Sequence, residues 1–494
     1  MTQDSSPARQ GRPKLFHTTI LSELGLISLW QSPRDAKFLC IQRFVRFFAY
    51  GGSTLVLASY LSALGISDDR IGLFMTLTLV GDVAISFFLT LFADAMGRRA
   101  VLALGSALMV GSGVIFGLVE NYWVLLAAAV FGVISPSGNE IGPFKAVEES
   151  SLAHITADAL LRDILLWYTL AGTAGTALGV MACGWAVNLL QTERGWEFIP
   201  SCRVVFFVYS GIGAIKFLLS VTMSEKVEAE VKVKQKDSKR ASRRGSEDEN
   251  GETQPLLSDT PVGQQEHQVP EQQKPGRRSF IPFLEDRKLA SLVIRLFILF
   301  GLDSFASGLA SLTWMTYFFK RKFSLPEGEL GSIFFTTSLI AAASMFLATS
   351  LARRIGNIRT MVFTHLPSAL CLSLIPVPTS LPLALTFLIL RSSMSNMDAA
   401  PRSAFLAAAL PTDKRTAIMG SINVVKTSAQ SLGPLVTGLL AERGWFGVSF
   451  MIAGCLKMIY DLGILGSFLG MEREKERERI EQERERERIR GAEA

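Results

Sequence analysis

Apolar residues fall along this chain in runs of about twenty, the length a helix needs to cross a ~30 Å hydrocarbon core. Twelve such runs are read, at about 38–63, 70–93, 100–118, 122–144, 163–190, 202–223, 288–317, 329–352, 360–377, 381–403, 416–440 and 446–470. Backbone groups inside lipid must satisfy one another, so each run is predicted to be a helix and the chain an all-α membrane protein. Between the sixth and seventh runs the sequence turns to Lys, Arg, Glu, Gln, Ser and Pro. Such a stretch cannot bury enough apolar surface to fold and reads as a disordered linker. The expected organisation is an N-terminal tail over 1–36, a bundle over 37–223, the linker over 224–287, a second bundle over 288–470 and a charged tail over 471–494.

The two sets of six repeat one another in order. Ile71-Gly72 opens the second span and Leu330-Gly331 the eighth. Ala93-Asp94-Ala95-Met96-Gly97 is matched by Ala352-Arg353-Arg354-Ile355-Gly356, and Glu140-Ile141-Gly142-Pro143 by Asp398-Ala399-Ala400-Pro401. Leu178-Gly179 and Gly184 correspond to Leu432-Gly433 and Gly438, and Glu193-Arg194-Gly195-Trp196 is repeated as Glu442-Arg443-Gly444-Trp445. Any one match is weak, but five in the same order imply two pseudo-symmetric six-helix bundles around a shared centre, a design suited to rocking.

Composition agrees with this. The 494 residues are 49% hydrophobic and 19% charged, with mean hydropathy +0.32, less charge than a soluble protein of this size displays. A net charge of +6 does not point to nucleic acid, because the basic residues sit mostly in loops between spans. Arg98, Arg99, Arg353, Arg354, Arg359, Lys414, Arg415 and the linker fall on one side, which the positive-inside rule makes cytoplasmic. Lys320, Arg321 and Lys322 oppose that orientation and are outnumbered. Both termini are therefore expected in the cytoplasm. Residues 1–35 show no apolar segment of a cleavable signal peptide, so the first span is expected to direct insertion. The five cysteines (Cys40, Cys183, Cys202, Cys371, Cys455) have no ligand-like or disulfide-framework spacing. No His/Cys/Asp cluster suggests a metal, no cofactor is implied, and no nucleophile–base arrangement suggests an enzyme.

The loop Asp94-Ala95-Met96-Gly97-Arg98-Arg99 resembles the D-x-x-G-R-R signature of the major facilitator superfamily, and the resemblance covers about 36–223 and 288–470. Thr90 departs from the pattern, which prefers glycine there, and the second copy carries Arg353 in place of the acid. The stretch Arg391 to Arg402, followed by Asp413-Lys414-Arg415-Thr416, is similar to a poorly characterised branch found in fungi and bacteria, and sugar-porter signatures are absent. The resemblance implies a cytoplasmic gate of Asp94, Gly97, Arg98, Arg99 and Glu140, with Arg353, Gly356 and Asp398 as its second-half counterpart. Plain topogenic arginines are the simpler reading of the same residues. It further implies a secondary active transporter of a small organic solute, working by alternating access and coupled to protons. A multidrug-type proton antiporter and a non-transporting receptor or sensor are the alternatives.

Ionisable residues at mid-span are costly, so they mark wet cavities or partners. Spans one, four, seven and ten line the centre by resemblance. Aligning spans one and seven, with Tyr60 opposite Tyr317 and Gly51 opposite Gly308, puts Arg46 opposite Asp303. Asp82 in span two is the first candidate for proton coupling, a helix-packing acid being an equal reading. Lys426 in span eleven shares a face with Asn423 and Gln430. Arg46, Arg391 and Lys426 against Asp82 and Asp303 lean positive, favouring an anionic or zwitterionic solute. Lys457 and Asp461, four apart on span twelve, read as mutually neutralising. Lys216 snorkels or pairs, His365 reads as a packed histidine rather than a proton relay, and His154 lies in a loop. The small-residue stripe Gly172, Gly175 and Gly179 reads as close helix packing.

The linker carries kinase-like words at Lys239-Arg240-Ala241-Ser242 and Arg243-Arg244-Gly245-Ser246. Glu252 to Leu257 fits an acidic dileucine signal read by sorting adaptors, which tilts localisation toward a vacuolar or other endomembrane over the plasma membrane. The Glu/Arg tail reads as a solvated, partly helical segment.

Overall fold

The protein is described as a computed structural model covering residues 26–132, 134, 143–228, 287–411 and 414–493. Its regular structure among these residues is helical. The first half comprises α1 (Leu26–Gln31), α2 (Arg34–Ala63), α3 (Asp68–Met96), α4 (Arg98–Leu118), α5 (Tyr122–Gly132), α6 (Pro143–Ile155), α7 (Asp158–Thr192) and α8 (Phe198–Val221). The second comprises α9 (Arg287–Leu309), α10 (Leu312–Phe323), α11 (Glu327–Ile355), α12 (Asn357–Leu374), α13 (Leu381–Ser395), α14 (Ala399–Ala409), α15 (Arg415–Glu442) and α16 (Phe446–Glu493). Helices fall in every expected span. Seven segments, in α2, α3, α4, α7, α8, α9–α10 and α16, are long and apolar enough to cross a membrane.

The fourth and tenth spans are each made of two helical pieces, α5 with α6 and α13 with α14. Pro143 is the first described residue of α6, and Pro401 lies in the first turn of α14. A first turn leaves its N–H groups without intrahelical partners, so the missing proline N–H costs nothing there. The helix continues past the expected end of the fourth span at about 144, with α6 running on to Ile155. Its Val147, Glu148, Ser151 and Leu152 are all buried, the i, i+3, i+4 face of an amphipathic helix, and His154 belongs to its last turn rather than to a loop. The charged tail continues the last span without a break, as α16 extends over 48 residues.

Backbone conformation records the internal repeat independently of side chains. The positive-φ residues among those described form three matched pairs: Gly65 with Ser324, Gly97 with Gly356, and Gly195 with Gly444. Gly97 (φ 97°) and Gly356 (φ 89°) turn the chain between the second and third spans of each half, a conformation glycine adopts without steric cost.

Within each half the first and fifth spans touch backbone to backbone. A Cβ on Gly51 of α2 would lie 2.3 Å from the Thr176 carbonyl oxygen of α7, and one on its counterpart Gly308 of α9 2.2 Å from the Gln430 carbonyl oxygen of α15. From the α7 side, a Cβ on Gly179 would meet the Phe48 oxygen at 2.0 Å, so the glycine stripe is a packing surface. We predict that Gly179→Val costs about 2–4 kcal/mol, the range of overpacked interiors. Gly466→Ala, on an open helix surface, is neutral or slightly stabilising. Thermal unfolding of the purified variants checks both.

Candidate functional site

In the first half, Glu148 of α6 is fully buried and gathers donors from three helices. Arg46 of α2 binds its Oε2 at 2.8 Å, the Tyr168 hydroxyl of α7 donates to the same oxygen at 2.6 Å, and the Lys216 ammonium of α8 lies 3.6 Å from Oε1. Lys216 is as buried as Glu148. Arg43, one turn from Arg46, stacks its guanidinium on the ring of Tyr168 at 4.1 Å. A carboxylate held by two cations and a hydroxyl is how a low-dielectric interior tolerates ions.

The second half holds a larger array. Asp303 of α9 accepts from Lys457 of α16 at 2.6 Å and from Arg402 of α14 at 3.4 Å. Arg402 also pairs with Asp398 at the start of its own helix, and Lys457 donates to the Ser307 hydroxyl at 2.8 Å. His365 of α12 places Nδ1 2.9 Å from one Asp461 oxygen and 3.0 Å from the other, with Nε2 3.9 Å from Asp303. Lys457 and Asp461, read from their spacing as partners on one helix, instead serve different residues. Three packed helices offered each a better-placed partner than its own helix did.

The two arrays correspond. In each half an acid is held by an arginine and a lysine, drawn from the first, fourth and sixth spans. In the first half the arginine is on the first span and the acid on the fourth (Arg46, Glu148, Lys216). In the second half those two are exchanged (Asp303, Arg402, Lys457). Arg46 and Asp303, aligned as opposites, are thus each tied within their own half.

Other candidates are scattered. Asp82 is buried in α3 within the first half. Arg391 of α13 is partly exposed; its carbonyl accepts from Ser368 of α12, and among the described residues its guanidinium has no carboxylate partner. Lys426 of α15 is partly exposed over the face of Phe300, 5.9 Å from the ring centroid, with no carboxylate at ion-pair distance among the described residues. At the gate, the N–H of Arg98 is held by Glu228 at 2.8 Å, and Arg99 binds the Val221 carbonyl at 2.7 Å. Glu140 and the side chains of Asp94 and Arg353 lie outside the described residues, as do residues 229–286 with the kinase-like and dileucine words. Asp398 appears in the array above. Glu148 and Arg402, which anchor the two arrays, were not singled out from the sequence. The apolar spacing around Glu148 was the available signal.

The halves meet at the end away from Gly97, Gly356 and both chain ends. Asp68 of α3 pairs with Arg321 of α10, accepts from the Tyr317 hydroxyl at 3.0 Å, and gives its N–H to Glu442 of α15 at 3.0 Å. Pro434 interrupts the α15 ladder, and the next N–H, of Leu435, donates across to Thr76 of α3 at 3.0 Å. Two matched glycine contacts close the seam. A Cβ on Gly72 would sit 2.9 Å from Gly438 Cα, and one on Gly184 2.9 Å from Gly331 Cα.

Comparison with known proteins sharpens this picture. Residues 296–492 match the profile of the Major Facilitator Superfamily. An uncharacterized membrane protein of Saccharomyces cerevisiae is 34% identical over 445 residues, covering 89% of this chain and 95% of that one. The crystal structure of a D-xylose–proton symporter superposes with TM-score 0.63 at 13% identity, covering 87% of this chain and 96% of the other. That of the nucleoside transporter NupG gives 0.61 at 13% identity, covering 88% and 99%. At such identities these two structures speak for the fold alone.

Two outcomes follow from the geometry. Glu148→Ala leaves two buried cations without their carboxylate and is expected to cost about 3–5 kcal/mol, more than Glu148→Gln, as thermal unfolding will report. Asp68→Asn removes a charge-assisted contact worth about 1.5–3 kcal/mol. With spin labels at the exposed positions 193 and 329, on opposite sides of the seam, it should raise the population of separated halves about tenfold.

Proposed function

This chain belongs to the major facilitator superfamily, and on that premise we propose that it is a secondary active transporter carrying a small organic anion together with a proton. The fold is that of membrane transporters, and alternating access is the mechanism its two bundles suit. The observation that carries the anion reading is Lys426. Asp303 already has Lys457 and Arg402, whereas Lys426, partly exposed on α15, has no described carboxylate at ion-pair distance. A cation left available beside an aromatic face is suited to a carboxylate or phosphate group.

With the positive-inside orientation, both termini face the cytoplasm and the seam around Asp68 closes the opposite side. The conformation is then the inward-facing one, and transport requires the seam to part and the chain-end side to close. Proton coupling is supported by the charged arrays and by the likeness to a fold used by a D-xylose–proton symporter. Vacuolar or endomembrane placement, sorting adaptors and kinases rest on the linker sequence.

Uptake into liposomes containing the purified protein tests the reading. With the outside acidic, radiolabelled mono- and dicarboxylates should accumulate while polyamines do not. Lys426→Gln should slow carboxylate uptake at least about tenfold, the worth of one charge-assisted contact. Transport of polyamines, or full carboxylate uptake by the Lys426→Gln variant, would overturn it.

A further inference from the structure

The array around Asp303 has an unequal charge count. Its carboxylates are Asp303, Asp398 and Asp461, and the cations bound to them are Arg402 and Lys457. With a neutral imidazole at His365, the array holds one negative charge too many. All three carboxylates are at least 96% buried, where an uncompensated charge is strongly disfavoured. The imidazole lies between the two carboxylates that need it. Nδ1 faces both oxygens of Asp461, and Nε2 points to Asp303 at 3.9 Å. A neutral imidazole has one N–H and one lone pair, so it can offer a donor to only one of these acids. An imidazolium offers a donor to each and brings the count to zero.

We propose that His365, between Asp461 and Asp303, is the proton-binding site of the transport cycle and takes up one proton. This rests on the proton-coupled reading above and assigns its carrier, in place of Asp82. The groups facing His365 are Asp303 from α9, Arg402 and beyond it Asp398 from α14, and Lys457, Tyr460 and Asp461 from α16. The Tyr460 ring stands edge-on to the imidazole, and its buried hydroxyl has no hydrogen-bond partner among the described residues, so a polar group is available for the array to rearrange around. Lys426 stands beyond Phe300, a further cation close to the array. A bound organic anion cancels that cation, makes the site more negative and strengthens the hold on the proton. Anion and proton thereby favour each other's binding, the reciprocal linkage that symport requires. The proton moves between water and an imidazole nitrogen, with no other bond made or broken.

The test needs no substrate. Spin labels are placed at positions 193 and 329, across the seam, in protein lacking Cys371 and Cys455, and the distance distribution is followed against pH in liposomes. Wild-type protein should change its distribution with the steepness of a single proton. His365→Gln should abolish that response, Asp461→Asn should move its midpoint, and Asp82→Asn should leave it in place. If His365→Gln fails to fold, the Asp461→Asn midpoint decides. An unchanged response in His365→Gln, or an unmoved midpoint in Asp461→Asn, would overturn the assignment while leaving proton coupling standing. Loss of the response in Asp82→Asn alone would return it to Asp82. A wild-type protein indifferent to pH would remove both the assignment and the coupled reading.

Discussion

A charge buried in a protein that sits in lipid needs its counter-charge close by, because neither the bilayer nor the interior can supply one. This constraint organises each half of the chain. Glu148 holds Arg46 and Lys216 together, so α2, α6 and α8 converge on one carboxylate, with Tyr168 of α7 completing it. Asp303 does the same for α9, α14 and α16. Each knot crosses three or four helices, and the glycine-lined contact of the first and fifth spans lies alongside it. The knots are local to each half. Nothing in them has to break when one half tilts against the other.

The seam between halves is built differently. Its polar contacts, centred on Asp68, lie near the helix ends, where water can replace them, and Arg321 is half exposed at 52%. Between them are glycine backbones in van der Waals contact, Gly72 against Gly438 and Gly184 against Gly331. Cohesion within halves includes buried ions, whereas between halves it rests on apolar packing, such as Leu55, Tyr60 and Phe74 in one cluster with Trp314, Phe319 and Leu330, and on polar contacts nearer the helix ends. That contrast is what alternating access needs from a structure, and it comes from where acids and glycines fall along the spans.

Much of this was legible in the sequence, because lipid imposes length and composition on every crossing. Helices fall where the spans were expected, and the two-fold repeat reappears in the backbone as the paired turns at Gly97 and Gly356. The ionic partners were harder to read. Lys457 and Asp461 looked paired because helical spacing is visible in one dimension, while Asp303 and His365, which they bind, lie 154 and 96 residues away along the chain. Glu148 was missed because the polar stretch after Pro143 looked like a loop, and the α5–α6 break hid its membership of the fourth span. Asp303 and Arg46 were aligned as opposites from the sequence, but the exchange of acid and arginine between halves needs three-dimensional contacts to see.

The central claim is that each half moves as a rigid unit held by its own buried ions. A cryo-electron microscopy structure in lipid nanodiscs, of protein whose seam has been released at Asp68, tests this most directly. The account predicts that each half superposes on its present form, with Glu148 and Asp303 keeping their partners, while the angle between halves changes. Halves that deform internally, or a Glu148 or Asp303 that exchanges partners across the seam, would contradict it.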